Sequence, residues 1–573
     1  MTGQQDHRGY SLDDRVPLPA LLFNAVQHVA IIAPIGLVFP GLVARAAGLS
    51  PEATQAVVAA SLIALGLGSL LLCRAGRLVG SGFLAPAVFT AAYLPASLAA
   101  AALGGLPLVI GMTIFAGLCE LLFSFVLYRM RTLLPGEISG LAVLMIGITL
   151  ALLGFRLVFD ISATGQFVAG PDLSSHVALG LGTLALIIAL NVWGRGPLRV
   201  FAVLIGVAVA YAAAAFAGRV EIAIIDAGMA GGLLRLPRLP LVLPAFDLSL
   251  APPFMVGALA AALRAMGDIT TCQRMNDRDW VRPDFISIQR GVRADGLATI
   301  LSGCLGSVGL NTFSGSIGLA QASGVTARRI GPAIAGLFVL LAFFPPVIAL
   351  AAAIPQPVTG AVLMFSSAFI IASGLQIIVA RLLDARRILA IGLAFTFGVS
   401  HAAFLGFYTA LPTWLATVSS SALVVALVIA LSLNAIFRIG TSQTRTLTLP
   451  IDADLTSGIH AFCDDSGAAW GARRDVVERV FGASLEAGEL ALANGAPGTP
   501  FQLSLTFDEF FIDATASYEL GQPPPVLDAE DDMYAETLVR MADLPMLLIH
   551  RQADRVAVAT ERGRSILRMR FDS

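Results

Sequence analysis

The pattern of apolar and polar positions divides this chain into two parts. From about Pro19 to about Arg438, apolar runs follow one another and are separated by short segments containing Gly, Pro or Arg. Each run is about 20 residues long, which is enough for a helix to cross the roughly 30 Å hydrocarbon core of a bilayer. After about Thr444, charged residues alternate with shorter apolar stretches. The pattern therefore predicts an all-α membrane part followed by a small soluble domain.

The apolar runs predict about fourteen transmembrane spans. Their predicted centres lie near Ala30, Ile63, Thr90, Leu118, Met145, Ala185, Val203, Leu259, Leu301, Ala320, Phe338, Phe365, Gly392 and Val425. The predicted domains are a cytoplasmic segment (1–17), a transmembrane transporter domain (18–438) and a cytoplasmic α/β domain (444–573).

Arginine positions orient these spans. They cluster in alternate loops, which the positive-inside rule assigns to the cytoplasm: Arg74, Arg77, Arg129, Arg131, Arg195, Arg199, Arg274 to Arg293, Arg328, Arg329, Arg381 to Arg387 and Arg438. We therefore expect a multi-pass protein of the plasma (inner) membrane with both termini in the cytoplasm. The longest opposite loop, 218–250, is then external despite Arg219, Arg235 and Arg238. The halves 18–217 and 251–438 would form a 7+7 inverted repeat.

Composition supports the membrane assignment and narrows the functional classes. Hydrophobic residues make up 57% of the 573 residues and charged residues 13%, whereas soluble domains carry about 25% charged residues. The net charge of -2 gives no reason to expect nucleic acid as a partner. The five cysteines lack the spacing of a metal site or a disulfide framework. We predict no catalytic residues, cofactor or metal, and hence no enzyme.

Two spans contain Gly- and Ser-rich interruptions at corresponding ranks. Residues 80–86 (GSGFLAP) interrupt the third span, and residues 311–318 (NTFSGSIG) the tenth. Broken spans of inverted-repeat transporters form their substrate site near the midplane, because free helix N-termini and unpaired backbone groups can face substrate there. Small residues could instead serve only close helix packing. Their paired placement favours a pocket between two broken spans.

Several local motifs, in the right order, make residues 18–437 resemble the nucleobase-ascorbate (NCS2) transporter family. They are Gln27-His28 with Pro40, Gly80 to Phe83, Pro135 with Gly140, Gly267-Asp268, Asp295-Gly296, Ser314 to Gly318 with Thr326, Arg328 and Arg329, and Pro355 to Gly360. The resemblance implies core and gate domains, elevator-type movement, a homodimer in the lipid membrane and usually proton-driven uptake of uracil or purines. It implies substrate contacts at Gln27, His28, Phe83, Phe313, Ser314, Gly315 and Ser316.

The sequence departs from this family at the positions that would bind the base. Where the family typically has a glutamate in the eighth span, this chain has Arg264. Where the family usually has Glu or Gln followed by Asn, this chain has Gly315 and Ser316. Two interpretations of Arg264 stay open. It could form a structural pair with Asp268, one helical turn later, or it could make the pocket electropositive and suited to an anionic group.

An electropositive pocket fits urate, deprotonated xanthine or a non-base oxyanion, and fits neutral uracil poorly. Asp268 and then His28 are the candidates for binding a coupling proton. We expect a secondary transporter for a purine nucleobase. An anion carrier of the sulfate-permease kind, which shares the fold, and a non-transporting receptor with a signalling tail are the alternatives.

The tail shows a different pattern. Strands are predicted near 445–451, 501–507 and 565–571, and a helix near 473–494. This order resembles a degenerate histidine-kinase-like ATPase domain without its glycine-rich boxes and DxG element. We therefore expect no ATP hydrolysis, but a role in regulation, dimer contacts or partner binding.

Overall fold

A computed structural model of the chain describes residues 9–130, 136–162, 173–218, 220, 232–240, 242–277, 280, 283–379, 383–412, 415, 419, 421–437, 442–451, 455–472, 474–496, 498–508, 511–521, 544–561 and 563–572. The chain divides into two compact units, Met1–Ala435 and Ile436–Ser573. Much of the predicted external loop and of the first seventeen residues lies outside the described residues.

The first unit is built of helices. They are α1 (Leu18–Ala46), α2 (Pro51–Cys73), α3 (Leu94–Met130), α4 (Gly136–Phe159), α5 (Leu173–Trp193), α6 (Pro197–Val200), α7 (Ala202–Phe216), α8 (Ala251–Asn276), α9 (Phe285–Cys304), α10 (Ser314–Ser323), α11 (Ile330–Leu341), α12 (Pro345–Ala352), α13 (Gln356–Ile378), α14 (Ala385–Ala403), α15 (Leu405–Thr409) and α16 (Ala422–Phe437).

Among the described residues, seven helices are long and apolar enough to cross a membrane. The pair α11 and α12, bent by 84°, could add one more span. The helices α7 and α16 are apolar but shorter. The largely helical membrane part is thus confirmed, whereas the count of about fourteen spans stays a prediction.

Local sequence signals begin and end several of these helices. The Ser50 hydroxyl accepts a hydrogen bond from the Ala53 amide at the start of α2, and the Asp284 carboxylate accepts one from Ile286 at the start of α9. These side chains satisfy amide groups that have no intrahelical acceptor. At the other end of α10, Gly324 adopts the left-handed conformation with φ of 67°, which ends the helix.

The helices pack as two bundles. One contains α1, α2, α3, α8, α9 and α11, and the other contains α4, α5, α7 and α13. Glycines allow the closest helix approaches within each bundle. A methyl group on Gly154 of α4 would lie 2.8 Å from the carbonyl oxygen of Gly360 of α13, and one on Gly117 of α3 would lie 2.6 Å from that of Gly296 of α9. Such backbone proximity is common where membrane helices pack through small residues.

Two short strands pair in the first bundle. Strand β1 (Ala87–Phe89) precedes α3, and strand β2 (Leu310–Thr312) precedes α10. They pair antiparallel with Val88 opposite Asn311. The pairing is extended by the Thr90 amide, which donates to Gly309, and by the Phe313 amide, which donates to Pro86. The pairing satisfies backbone groups that lipid could not satisfy.

The first predicted interruption, residues 80–86, does not itself form the strand. The extended segment begins at Ala87, directly after residues 80–86. Gly80 and Gly82 have φ of 109° and 81°, so this stretch turns rather than extends. The Gly80 amide donates to the backbone carbonyl of Arg290, and the Gly82 amide donates to the backbone carbonyl of Arg74. This glycine segment therefore fixes the end of α2 against α9, and the strand follows it.

The second unit is a small α/β domain, as predicted. Its antiparallel sheet has the order β3-β4-β5-β7-β6, formed by β3 (Gln443–Pro450), β4 (Pro500–Asp508), β5 (Phe511–Glu519), β6 (Arg555–Glu561) and β7 (Arg564–Asp572). The described helices are α17 (Leu455–Trp470), α18 (Arg474–Asn494) and α19 (Leu544–Gln552). Alternate residues of β4, β5 and β7 are buried and share an apolar core with residues of these helices.

Candidate functional site

The candidate site lies where α8 faces the junction of β2 and α10. Helix α8 carries Arg264 and Asp268 one turn apart, which places both side chains on one face. The Thr312 hydroxyl donates to Asp268 Oδ2 at 2.7 Å, and the Ser314 hydroxyl donates to Asp268 Oδ1 at 2.7 Å. Each carboxylate oxygen of Asp268 therefore has a hydroxyl donor from the junction.

Arg264 takes part in the same cluster. Its Nε lies 4.0 Å from Asp268 Oδ2, and its Nη2 donates to Ser314 Oγ at 3.5 Å. The side chain of Arg264 is 21% exposed and that of Asp268 is 10% exposed. Both distances from Arg264 are long for hydrogen bonds, whereas those from the hydroxyls to Asp268 are short. Asp268 is thus held mainly by Thr312 and Ser314, and the guanidinium remains partly open.

The first turn of α10 borders this cluster. Phe313 precedes the helix and provides no side-chain cap, and the first amides of a helix have no intrahelical acceptors. Ser314, Gly315 and Gly318 are exposed, and so is Gly267 on the facing helix α8. A methyl group added at Gly267 or Gly318 would meet no atom within 4 Å. The helix N-terminus and the guanidinium therefore present positive electrostatic potential to an open region.

Comparison with known proteins shows to which family this chain belongs. The family profile Xan_ur_permease, described as a permease family, matches residues 19–407. The chain belongs to this family. This membership also confirms the prediction of a transporter rather than an enzyme, and agrees with the multi-pass membrane fold described above.

Three curated relatives are similar over most of their length. Xanthine permease XanP of Escherichia coli (strain K12) is 29% identical over 453 residues, which cover 75% of this chain and 94% of XanP. Xanthine permease XanQ of the same strain is 29% identical and covers 68% of this chain and 86% of XanQ. Uric acid permease PucJ of Bacillus subtilis (strain 168) is 25% identical and covers 74% of this chain and 93% of PucJ.

The ring of Phe313 explains how the permease site accommodates glycine at position 315. A methyl group built on Gly315 would lie 2.7 to 3.1 Å from three ring atoms of Phe313. The ring thus occupies the space into which a side chain at 315 would begin to project. An aromatic ring therefore lies where the family resemblance leads us to expect a polar side chain.

His28 of α1 contacts the first turn of α10. Its Nδ1 forms a hydrogen bond with the hydroxyl of Ser316, and both residues are buried. This contact joins α1 to the first turn of α10. Gln27, the preceding residue, is half-buried. The structure therefore brings His28 and Ser316 together on the buried side of the first turn of α10.

Phe83 has the contacts of a core residue. It is half-buried and packs against apolar side chains of α8 and α9, namely Ala262, Ala265, Ile269, Ile288 and Val292. Its assignment as a substrate contact stays a prediction that these packing contacts do not support.

Sequence reasoning missed Thr312, although it supplies one of the two short hydrogen bonds to Asp268. A signal was available, because Thr312 and Ser314 are two residues apart and the chain is extended between them. Side chains at that spacing share one side of an extended chain.

Proposed function

We propose that this permease is a secondary active transporter of a purine nucleobase, with an anionic purine such as urate or deprotonated xanthine as its substrate. Membership of the family and the relatives named for xanthine and uric acid support a purine. The partly open guanidinium of Arg264 beside the α10 N-terminus supports an anion.

The partly compensated charge of Arg264 is the single observation that supports an anionic substrate. Its charge is only partly compensated, because the nearest Asp268 oxygen is 4.0 Å away and also accepts a hydrogen bond from Thr312. A guanidinium can donate two parallel hydrogen bonds to an anionic group. In this site it would take the place that the family gives to a base-binding glutamate. Phe313 would stack on the purine ring.

The broken spans and the inverted repeat are part of this proposal. Strands β1 and β2 each precede a helix and pair antiparallel, which is the arrangement that two oppositely oriented repeats would give. The two helix bundles would act as the core and gate domains of an elevator-type carrier, since the close glycine-mediated helix contacts lie within each bundle. Proton coupling, a homodimer, fourteen spans and cytoplasmic termini complete the proposal.

Uptake of radiolabelled urate, xanthine and uracil into proteoliposomes tests the substrate class. Uptake of urate should exceed that of uracil, and Arg264→Glu should lower urate uptake by about 100-fold because it places a second carboxylate beside Asp268. Arg74→Ala, which removes an exposed arginine, is the matched control and should leave uptake unchanged.

Three outcomes would contradict the proposal. Equal urate uptake by the Arg264→Glu variant would show that this guanidinium does not contact the substrate. Competition by sulfate or bicarbonate without competition by purines would indicate an inorganic anion carrier. Binding of a purine, seen as a raised melting temperature, without any accumulation would indicate a receptor.

A further inference from the structure

A second polar cluster lies where α3 packs against α9. The helices approach most closely at Gly117 and Gly296. Glu120 follows Gly117 by one turn on α3, and Asp295 precedes Gly296 on α9. A methyl group on Gly296, next to Asp295, would lie 3.2 Å from Cβ of Glu120, and both acidic residues are 0% exposed and act on each other electrostatically. Two carboxyl groups therefore face each other inside the first bundle.

The described residues supply too few hydrogen-bond donors for two carboxyl groups. All four of their oxygens lack a hydrogen-bond partner. The Thr299 hydroxyl, which also interacts with Glu120, donates to the Leu310 carbonyl at 3.1 Å, so its single hydrogen cannot serve both carboxyl groups. Ionised carboxylates only accept hydrogen bonds, so the two groups cannot satisfy each other while both are charged.

In the described part of the chain, two arginines of the neighbouring helices have their contacts with other groups. On α8, Arg264 contacts Asp268 and Ser314, and it acts on Asp295 only electrostatically, without a hydrogen bond to it. On α9, the guanidinium of Arg293 lies over the Phe125 ring of α3, 4.6 Å from its centroid. The other titratable groups that act on the pair are Asp268, the Cys119 thiol and the Tyr93 hydroxyl, none of which carries positive charge.

We propose that Glu120 and Asp295 form a carboxyl pair that holds one proton, and that this proton is the coupling ion of the carrier. Two adjacent buried carboxylates repel each other, and one proton both halves the charge and supplies the missing hydrogen-bond donor. Asp268 differs, because two hydroxyls and a guanidinium already compensate it. The coupling role rests on the proposed transport function, whereas proton binding does not.

A short chain of contacts joins this pair to the substrate site. Thr299 lies one turn after Asp295 on α9 and contacts both the amide and the carbonyl of Leu310 in β2. Two residues later in the same strand, Thr312 donates to Asp268. Loss of the proton would restore repulsion between α3 and α9 and would displace the helix that holds β2. The state of the pair is thereby transmitted to the pocket.

Infrared difference spectroscopy of the purified protein tests proton binding without any substrate. The wild type at neutral pH should show the carbonyl band of a protonated buried carboxyl, and this band should be absent from Glu120→Gln and from Asp295→Asn. Glu52→Gln, which removes an exposed glutamate of α2, is the control and should retain the band. Absence of the band from the wild type, or its presence in both pair variants, would overturn the proposal.

Gradient-driven uptake tests the coupling role. One unit of pH across the membrane should raise purine accumulation by about tenfold for one coupled proton in the wild type and in Glu52→Gln. In Glu120→Gln and Asp295→Asn, the accumulation should not respond to the gradient. A retained response in both variants, or a wild-type response to sodium but not to pH, would overturn this role. Failure of the wild type to accumulate any purine would instead reject the proposed function, while the infrared result still decides proton binding.

Discussion

Asp268 and the Glu120–Asp295 pair are both buried acidic sites in the same helix bundle, but their surroundings differ. Asp268 accepts two hydrogen bonds of 2.7 Å and has a guanidinium at 4.0 Å. Within the described part of the chain, the oxygens of Glu120 and Asp295 accept none. A buried carboxylate is stable only when its charge is compensated. The charge of Asp268 is therefore compensated without a further cation, whereas that of the Glu120–Asp295 pair is not.

This difference assigns substrate binding and proton coupling to different carboxyl groups, although one carboxylate could have served both. The groups around Asp268 are also the groups that border the open region, so a change of charge there would disturb substrate binding directly. The Glu120–Asp295 pair is enclosed and acts through Thr299 and β2. Coupling would then depend on helix position rather than on direct contact between the ion and the substrate.

The largest effect is expected from Asp268→Ala. It removes the acceptor of two hydroxyls and the counter-charge of Arg264, which should lower the free energy of unfolding by about 3 kcal/mol and abolish purine binding. Thermal unfolding in detergent and a ligand-induced melting shift measure both effects. The double variant Arg264→Ala, Asp268→Ala should recover part of the stability, because the unpaired charge is then absent. A melting temperature equal to that of the wild type would refute the view that this site is electrostatically complete.

A smaller effect is expected from Glu137→Gln, which tests a buried glutamate that does have a cation. Glu137 of α4 is 3% exposed at its side chain, and its Oε1 lies 3.1 Å from Nη1 of Arg387 on α14. Loss of this pair should cost about 1–2 kcal/mol, since Arg387 is partly exposed. In the same thermal assay, Glu120→Gln should leave the melting temperature unchanged or raise it. A larger decrease in melting temperature for Glu120→Gln than for Glu137→Gln would contradict the view that Glu120 lacks a compensating cation.

The smallest effect is expected from Asp13→Asn. Asp13 forms an ion pair with Arg328, but its side chain is 70% exposed. Exposed pairs contribute about 0–1 kcal/mol and are weakened by salt. The melting temperature should therefore stay close to that of the wild type, at low and at high salt. A decrease in melting temperature comparable to that of Glu137→Gln would mean that burial does not determine how much these acidic groups contribute to stability.

Elements with strong local signals were predicted closely. The helix expected near 473–494 is α18 (Arg474–Asn494), and the strand expected near 565–571 is β7 (Arg564–Asp572). Strand β5 was missed because its buried positions include Ala514 and Ala516, which give a weak hydrophobic alternation. Helix α17 was missed because Gly458 and Gly467 interrupt its pattern. In the membrane part, β1 follows the predicted interruption because Gly80 and Gly82 turn the chain first.

The sequence by itself determined the membrane character, the family and the short-range pairing of Arg264 with Asp268 on one helix face. These follow from hydropathy, motif order and helix periodicity, which act over a few residues. Only the tertiary structure decided that Thr312 and Ser314 hold Asp268, that His28 meets Ser316, and that Glu120 faces Asp295. Those contacts join residues far apart in the chain, which only the packing of the helices and the pairing of β1 with β2 bring together.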